Sequence, residues 1–443
     1  MNIDSKACFL AAKQAGMDFL SVSESYSKET SLSIHNDEVE SQQIGSSSQY
    51  SFKGIYDGKK GIYSLDSYEP GRRDDIISSV KEMSSFGRED KIENYFDGKA
   101  EYEKAKTLRE DFVPSNLEER RKEASSLSDE IRSKDSRIIN VDVSFSRSEE
   151  GGEKKNSLGL DCKEETKYFT GSRYISAKSE DGVIRNSEKG AYSRISLTDL
   201  KKKLEEKIPS LLELTMDFFH PECLPSGSYP CVFSESRASV LLNCYRGQMS
   251  AKQVHKHLSL FEGKLNQKIR SDAVTILHTP HIEYRGSGSF DADGYPTQDF
   301  PVIEQGILKT YFYSLETAHE ENKESNGCSC GNGEGEPLVL TVQKGDKSLD
   351  EIFAERKDGI YITELKGLNS GIDGQSLQFS LPCSGYVIKN GKKDHAFDRN
   401  IVSGNLKDLF LHVVGFSKDP IITKGNRIPN RYVSEVDLSG DDQ

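Results

Sequence analysis

The chain's groups able to bind a metal or attack a carbonyl include nine histidines and eight cysteines. The closest histidine pairs are His255-x-His257 and His278-x-x-His281. On an extended strand, residues i and i+2 share a face, so the first pair could chelate. Neither pair comes with carboxylates in a known metal pattern, so both read as surface or hydrogen-bonding histidines. His319-Glu320 has no second histidine one helical turn on, as a zincin helix requires. The cysteines are scattered, without a Cys-x-x-Cys pair, which argues against a zinc ribbon or a redox dithiol. Cys328 and Cys330 fall in the Gly-, Asn- and Glu-rich stretch 321–337, which reads as a long mobile loop. A Cys–His hydrolase there would need a base beside the thiol. No Gly-x-Ser-x-Gly elbow, phosphate loop or dinucleotide fingerprint occurs.

The elements that must position these groups follow from periodicity and punctuation. Asp4 or Ser5 opens a helix ending near Gly16, and strand-like runs follow at 19–25 and 30–35. Asp57-Gly58 marks a hairpin, and 72–86 reads as an amphipathic helix. A capping box from Ser115 to Glu118 predicts a helix carrying Leu117, Ala124, Leu127 and Ile131. Strands recur over 138–195, and Ser196 opens a helix that Pro209 interrupts. After the Pro- and Gly-bearing junction near 219–228 come a strand at 229–233 and a helix across 237–248. Strands dominate beyond about 270, with turns at Asp293-Gly294, Asp358-Gly359 and Asn390-Gly391. Segregated helices and frequent hairpins predict an α+β fold with two domains, 1–220 and 221–443, built on mixed or antiparallel sheets with flanking helices.

The 443 residues suit two or three domains. A net charge of −13 speaks against nucleic acid and anionic membrane as partners. No apolar run approaches the roughly 18 residues of a membrane span, and the start lacks the features of a signal peptide. The expectation is a soluble cytoplasmic protein.

The second half carries an ordered series of short motifs. Ser289-Phe-Asp291-Ala-Asp293-Gly-Tyr-Pro-Thr297 is followed by Ile303-Glu-Gln-Gly-Ile-Leu308, then Tyr313, Leu315, Thr317 and Ala318. Ser380-Leu-Pro-Cys-Ser-Gly-Tyr386, Lys389-Asn-Gly391 and Gly404-Asn-Leu406 come after. This order resembles the TldD/PmbA family, long labelled modulators of DNA gyrase, most sharply from about residue 228 onward. TldD-type chains of that family carry a zinc-binding His-Glu-x-x-x-His helix after an apolar run; TldE/PmbA-type chains lack it. Here Val240-Leu241-Leu242 leads into Asn243-Cys244-Tyr-Arg-Gly-Gln248. The resemblance thus sets Asn243 and Gln248 at the histidine positions and Cys244 at the glutamate base. Neutral amides are weak zinc ligands, and a thiol does not copy a carboxylate base. No cysteine follows Cys383 to serve as the family's late ligand.

The resemblance implies a TldE/PmbA-type subunit with no metal, catalytic residue or cofactor of its own. A TldD-type partner would hold the zinc, and the pair would cleave peptides or unfolded proteins. Asp291, Asp293, Cys328, Cys330 and Ser380 are the candidates for a substrate cleft. Gln378 departs from the family pattern, standing where an acidic residue is expected. Two alternatives remain open at this point. One is a homodimeric peptide-binding scaffold; the other is a thiol hydrolase using Cys244, Cys328 or Cys330.

Overall fold

The computed structural model describes residues 3–105 and 111–440. Its contacts divide into two compact units, Met1–Met216 with Gly288–Pro296, and Asp217–Ser287 with Thr297–Gln443. The Gly288–Pro296 segment, which the sequence reading placed with the second half, packs with the first unit. Tyr102 donates its hydroxyl proton to the Gly294 carbonyl, and the Ser289 amide donates to Glu164.

The first unit is built on one antiparallel sheet in the order β3-β2-β1-β4-β5-β6. Its strands are β1 (Phe19–His35), β2 (Glu38–Tyr56), β3 (Lys59–Leu65), β4 (Ile138–Asn156), β5 (Asp161–Lys178) and β6 (Ile184–Ser193). The runs at 19–25 and 30–35 are therefore one strand, joined by a polar middle that is half-buried or exposed. Its two ends carry separate apolar layers on the same face, since Leu20, Val22, Leu32 and Ile34 share parity. At one end α1 (Ser5–Gln14) and α2 (Arg73–Ser85) bury Cys8, Ile76 and Val80 against Leu20, Val22 and Phe52. At the other, α3 (Leu117–Arg132) and α4 (Leu197–Glu205) bury Leu127, Ile131, Leu200 and Leu204 against Val141, Val143 and Phe145. Asp4 and Ser196 cap α1 and α4 as the sequence predicts. The α3 capping box sits one residue later than predicted, formed by Asn116 and Glu119 rather than Ser115 and Glu118. Asn is as good an N-cap as Ser, so either frame was chemically sound. Pro209 opens a separate helix, α5 (Ile208–Met216), where its missing N–H costs nothing.

The second unit is mixed. One six-stranded sheet runs in the order Ile307–Leu308, Phe300–Glu304, Ile276–His278, Leu340–Val342, Asn426–Ile428 and Ile421–Thr423. In a second sheet, Lys392–Asn405, Gln378–Lys389, Gly359–Leu365, β7 (Gly227–Phe233) and Arg431–Ser439 are successive neighbours. Lys392–Asn405 also pairs with Arg431–Ser439, which closes these five strands into a ring. Helix α6 (Glu235–Arg246) contacts strands of both sheets and buries Ala238, Leu241, Leu242 and Tyr245. Full burial of each leucine is worth about 1.5–3 kcal/mol, which holds this helix as a core element. Arg270 stacks on Tyr245, with its guanidinium carbon 3.6 Å from the ring centroid. Type I′-like turns at Asp57-Gly58 and Asn390-Gly391 have positive φ at both residues, which is why these pairs close hairpins. Asp358-Gly359 instead links the helix Leu349–Arg356 to the next strand.

Candidate functional site

Helix α6 delivers the three positions that matter most. It ends at Arg246, two residues short of the predicted helix, and Gln248 falls in the 3-10 turn Gly247–Met249. The Asn243 carbonyl oxygen accepts from Asn426 Nδ2 at 2.8 Å, and its amide donates to the Lys424 carbonyl at 3.0 Å. Asn426, fully buried, also donates to Ser239 Oγ at 2.8 Å. Gln248 donates to the Gly374 carbonyl at 2.8 Å and accepts from the Leu260 N–H at 2.8 Å. Every heteroatom of both side-chain amides is thus engaged inside the unit. Burial raises the thiol pKa of the half-buried Cys244, which disfavours the thiolate needed of a ligand or nucleophile. These donors do not fit zinc. Among the described residues no group of three or more His, Cys, Asp or Glu could hold a metal ion.

The histidine pairs separate. His255 ends a short helix, Ala251–His255, and His257 has φ 58°, so the pair is not extended and does not share a strand face. His255 lies between Glu320 and Glu321 at 2.6 and 2.7 Å, while His257 meets Glu262 at 2.7 Å. His281 Nε2 lies 3.0 Å from Thr297 Oγ1. His278 is fully buried, with Nδ1 2.9 Å from the Gln298 carbonyl and Nε2 accepting from the Leu338 N–H at 3.3 Å. Those partners fix the neutral Nδ1–H tautomer. Burial depresses its pKa to about 3.

The stretch 321–337 is not the mobile loop predicted. It packs Ser325, Asn326, Cys328 and Ser329 inside and folds into a small hairpin, Ser329–Gly331 with Glu334–Gly335. Cys328 Sγ lies 3.9 and 4.0 Å from the two His278 ring nitrogens. Both nitrogens already have closer partners, so His278 is not positioned as a base for that thiol. Cys330 is exposed, and its thiol donates to the Glu334 carbonyl. Neither geometry fits a Cys–His hydrolase.

The remaining candidates lie in different places. Ser380 is exposed, and its N–H donates to the Gly371 carbonyl at 2.8 Å. The same loop supplies the Gly374 carbonyl to Gln248, so Ser380 and the α6 end share a neighbour. Asp291 is buried and accepts from the Asp293 and Tyr295 amides at 2.9 and 3.0 Å. It shapes its own turn, as Asp does in an Asx motif. Asp293 is half-buried and lines a recess of the first unit with Lys53 and Lys154. Sequence reasoning missed those lysines and Asn426, because only strand register and chain crossing bring them to their partners.

Comparison with known proteins matches this architecture. Residues 226–440 match the family described as PmbA/TldA metallopeptidase C-terminal domain. A metalloprotease of Methanocaldococcus jannaschii is 29% identical over 201 residues, 44% of each chain. The fold closely follows a protein of Thermotoga maritima named as a modulator of DNA gyrase, with TM-score 0.89, 26% identity and coverage of 98% of this chain and 99% of that one. It also follows TldE from Thermococcus kodakarensis, with TM-score 0.80, 18% identity and coverage of 98% and 100%. The fold and sequence define a metallopeptidase-like class of two-unit α+β proteins. Within that class, residues 226–440 belong to the TldD/PmbA family, and the fold of the chain follows that family's solved structures. No helix of the described residues is long and apolar enough to cross a membrane.

Proposed function

We propose that this chain is a non-catalytic, TldE/PmbA-type subunit of a cytoplasmic zinc metallopeptidase that cleaves peptides or unfolded proteins. The observation that carries this reading is the engagement of both side-chain amides at the ligand positions, Asn243 with Asn426 and Lys424 and Gln248 with Gly374 and Leu260, where a metal centre would need lone pairs left open. Zinc, and the water it activates, would come from a TldD-type partner bearing His-Glu-x-x-x-His. This chain would contribute binding surface. The strand Ile421–Thr423 ends its sheet beside Asn243, whose amide holds Lys424. Its outer edge suits pairing with an extended peptide through main-chain hydrogen bonds, which tolerate varied side chains. The test is reconstitution. The chain alone should cut no peptide, and a mixture with a His-Glu-x-x-x-His relative from the same organism should form a 1:1 complex that does. Cleavage by the purified chain alone would overturn the reading, as would failure of the mixture to associate.

A further inference from the structure

We propose that the recess on the first unit's sheet, between Lys53 and Lys154, is a binding site for a small oxyanion, a carboxylate or a phosphate. Strand register builds it. Across β2, β1 and β4, Lys53, Ser21 and Asn156 form one cross-strand row, and Ser51, Ser23 and Lys154 form the next. These odd-numbered positions of β1 and β2 face away from the apolar layer that carries Leu20, Val22 and Phe52. The resulting cavity, about 100 Å³, is walled by Tyr95, Leu160 and Asp293. At ~30 Å³ per water in the liquid it has room for a few heavy atoms.

The charges within it do not close on one another. Lys60, nearby, pairs with Asp90 at 3.5 Å, and Lys154 donates to the Ala292 carbonyl. The Lys53 ammonium, though half-buried, has no hydrogen bond or ion pair among the described residues. Burial, then the charges of Lys60 and Lys154, depress its pKa to about 8. Two ammonium groups face one carboxylate, Asp293, so the recess holds one excess positive charge that a monoanion would neutralise. Ser51 Oγ accepts from Ser64 Oγ at 3.2 Å, which leaves its own proton to donate to a ligand oxygen. The anion would sit on charge-assisted hydrogen bonds from the lysines.

The experiment is equilibrium dialysis of the full chain at pH 7 and fixed ionic strength, with radiolabelled acetate in one arm and inorganic phosphate in the other. One saturable site per chain is expected in at least one arm. Acetate alone identifies a carboxylate site, phosphate alone a phosphate site, and both a general oxyanion site. Lys53→Gln and Lys154→Gln should each weaken binding at least tenfold, and Lys122→Gln on the exposed face of α3 should leave it unchanged. Should a variant fail to fold, the unmodified chain decides. Its affinity for the ligand that binds should fall several-fold from pH 7 to pH 9.5 as Lys53 loses its proton; for phosphate the comparison starts at pH 8, above its own titration. No saturable binding in either arm would overturn the proposal, as would affinity indifferent to both substitutions or, where they do not fold, to pH.

Discussion

The end of α6 and the β2-β1-β4 recess are two polar regions with opposite states of satisfaction. At α6, the side-chain amides of Asn243 and Gln248 meet carbonyls, an N–H group and the Asn426 amide until every heteroatom of the two is used. In the recess, the Lys53 ammonium is half-buried with no hydrogen bond or ion pair among the described residues, and Asp293 lies nearby without pairing to it. Neutral amides can complete one another inside a fold, and what results is rigid and chemically quiet. A buried ammonium cannot be completed by its own kind, so it stays costly until something else arrives. The family's chemistry would be expected at the first region; this chain keeps its unspent electrostatics in the second.

The largest expected effect concerns a satisfied, fully buried histidine of the second unit and is read through acid. His278 has a folded pKa near 3, against an ordinary value of 6.5. The unfolded chain therefore binds the extra proton first, and the stability His278 contributes is present above pH 6.5 and lost as pH falls toward 3. The loss should amount to about 5 kcal/mol at most. His278→Gln should flatten the urea-midpoint profile in that window, and an unchanged slope would show that His278 is not the group responsible. Next, Asn426→Ala should cost about 2–4 kcal/mol, because it strips partners from both Ser239 and Asn243. Denaturant unfolding at pH 7 measures it, and a cost below 0.5 kcal/mol would mean that these two bonds do not hold the end of α6 in place.

The open region should respond in the other direction. Lys53 is depressed from 10.5 to about 8, so the folded state carries its penalty in full below pH 8 and sheds it between pH 8 and 10.5. Lys53→Met should therefore stabilise the protein at pH 7 by about 1–3 kcal/mol, and that gain should shrink as pH rises. Thermal midpoints at pH 7 and pH 10 read both signs; destabilisation at pH 7 would show that Lys53 is already paired. The smallest effect is expected at Ser380, exposed and bonded through its backbone, where Ser380→Ala should change stability by less than ~0.5 kcal/mol.

The sequence made the fold class legible through local signals that tertiary contacts rarely override. The turn pairs Asp57-Gly58 and Asn390-Gly391 and the caps Asp4 and Ser196 act within a few residues. Val240-Leu241-Leu242 announced a buried helix, and Asn243, Cys244 and Gln248 stood out against the family pattern. What escaped depends on distant partners. Residues 321–337 are polar and glycine-rich, yet Asn326 pins them by donating to the Tyr311 carbonyl and accepting from the Tyr313 amide. Lys53 reads as one more strand lysine until register sets it in a row with Ser21 and Asn156. Asn426 meets Asn243 only because the chain returns some 180 residues later.

The most direct measurement of the central claim is zinc content and peptide cleavage for this chain alone and mixed with a His-Glu-x-x-x-His relative from the same organism. The account predicts a metal-free, inactive chain and a 1:1 complex that cuts an unfolded peptide, with its activity abolished by substituting the relative's glutamate. Stoichiometric zinc or cleavage in the isolated chain would contradict it.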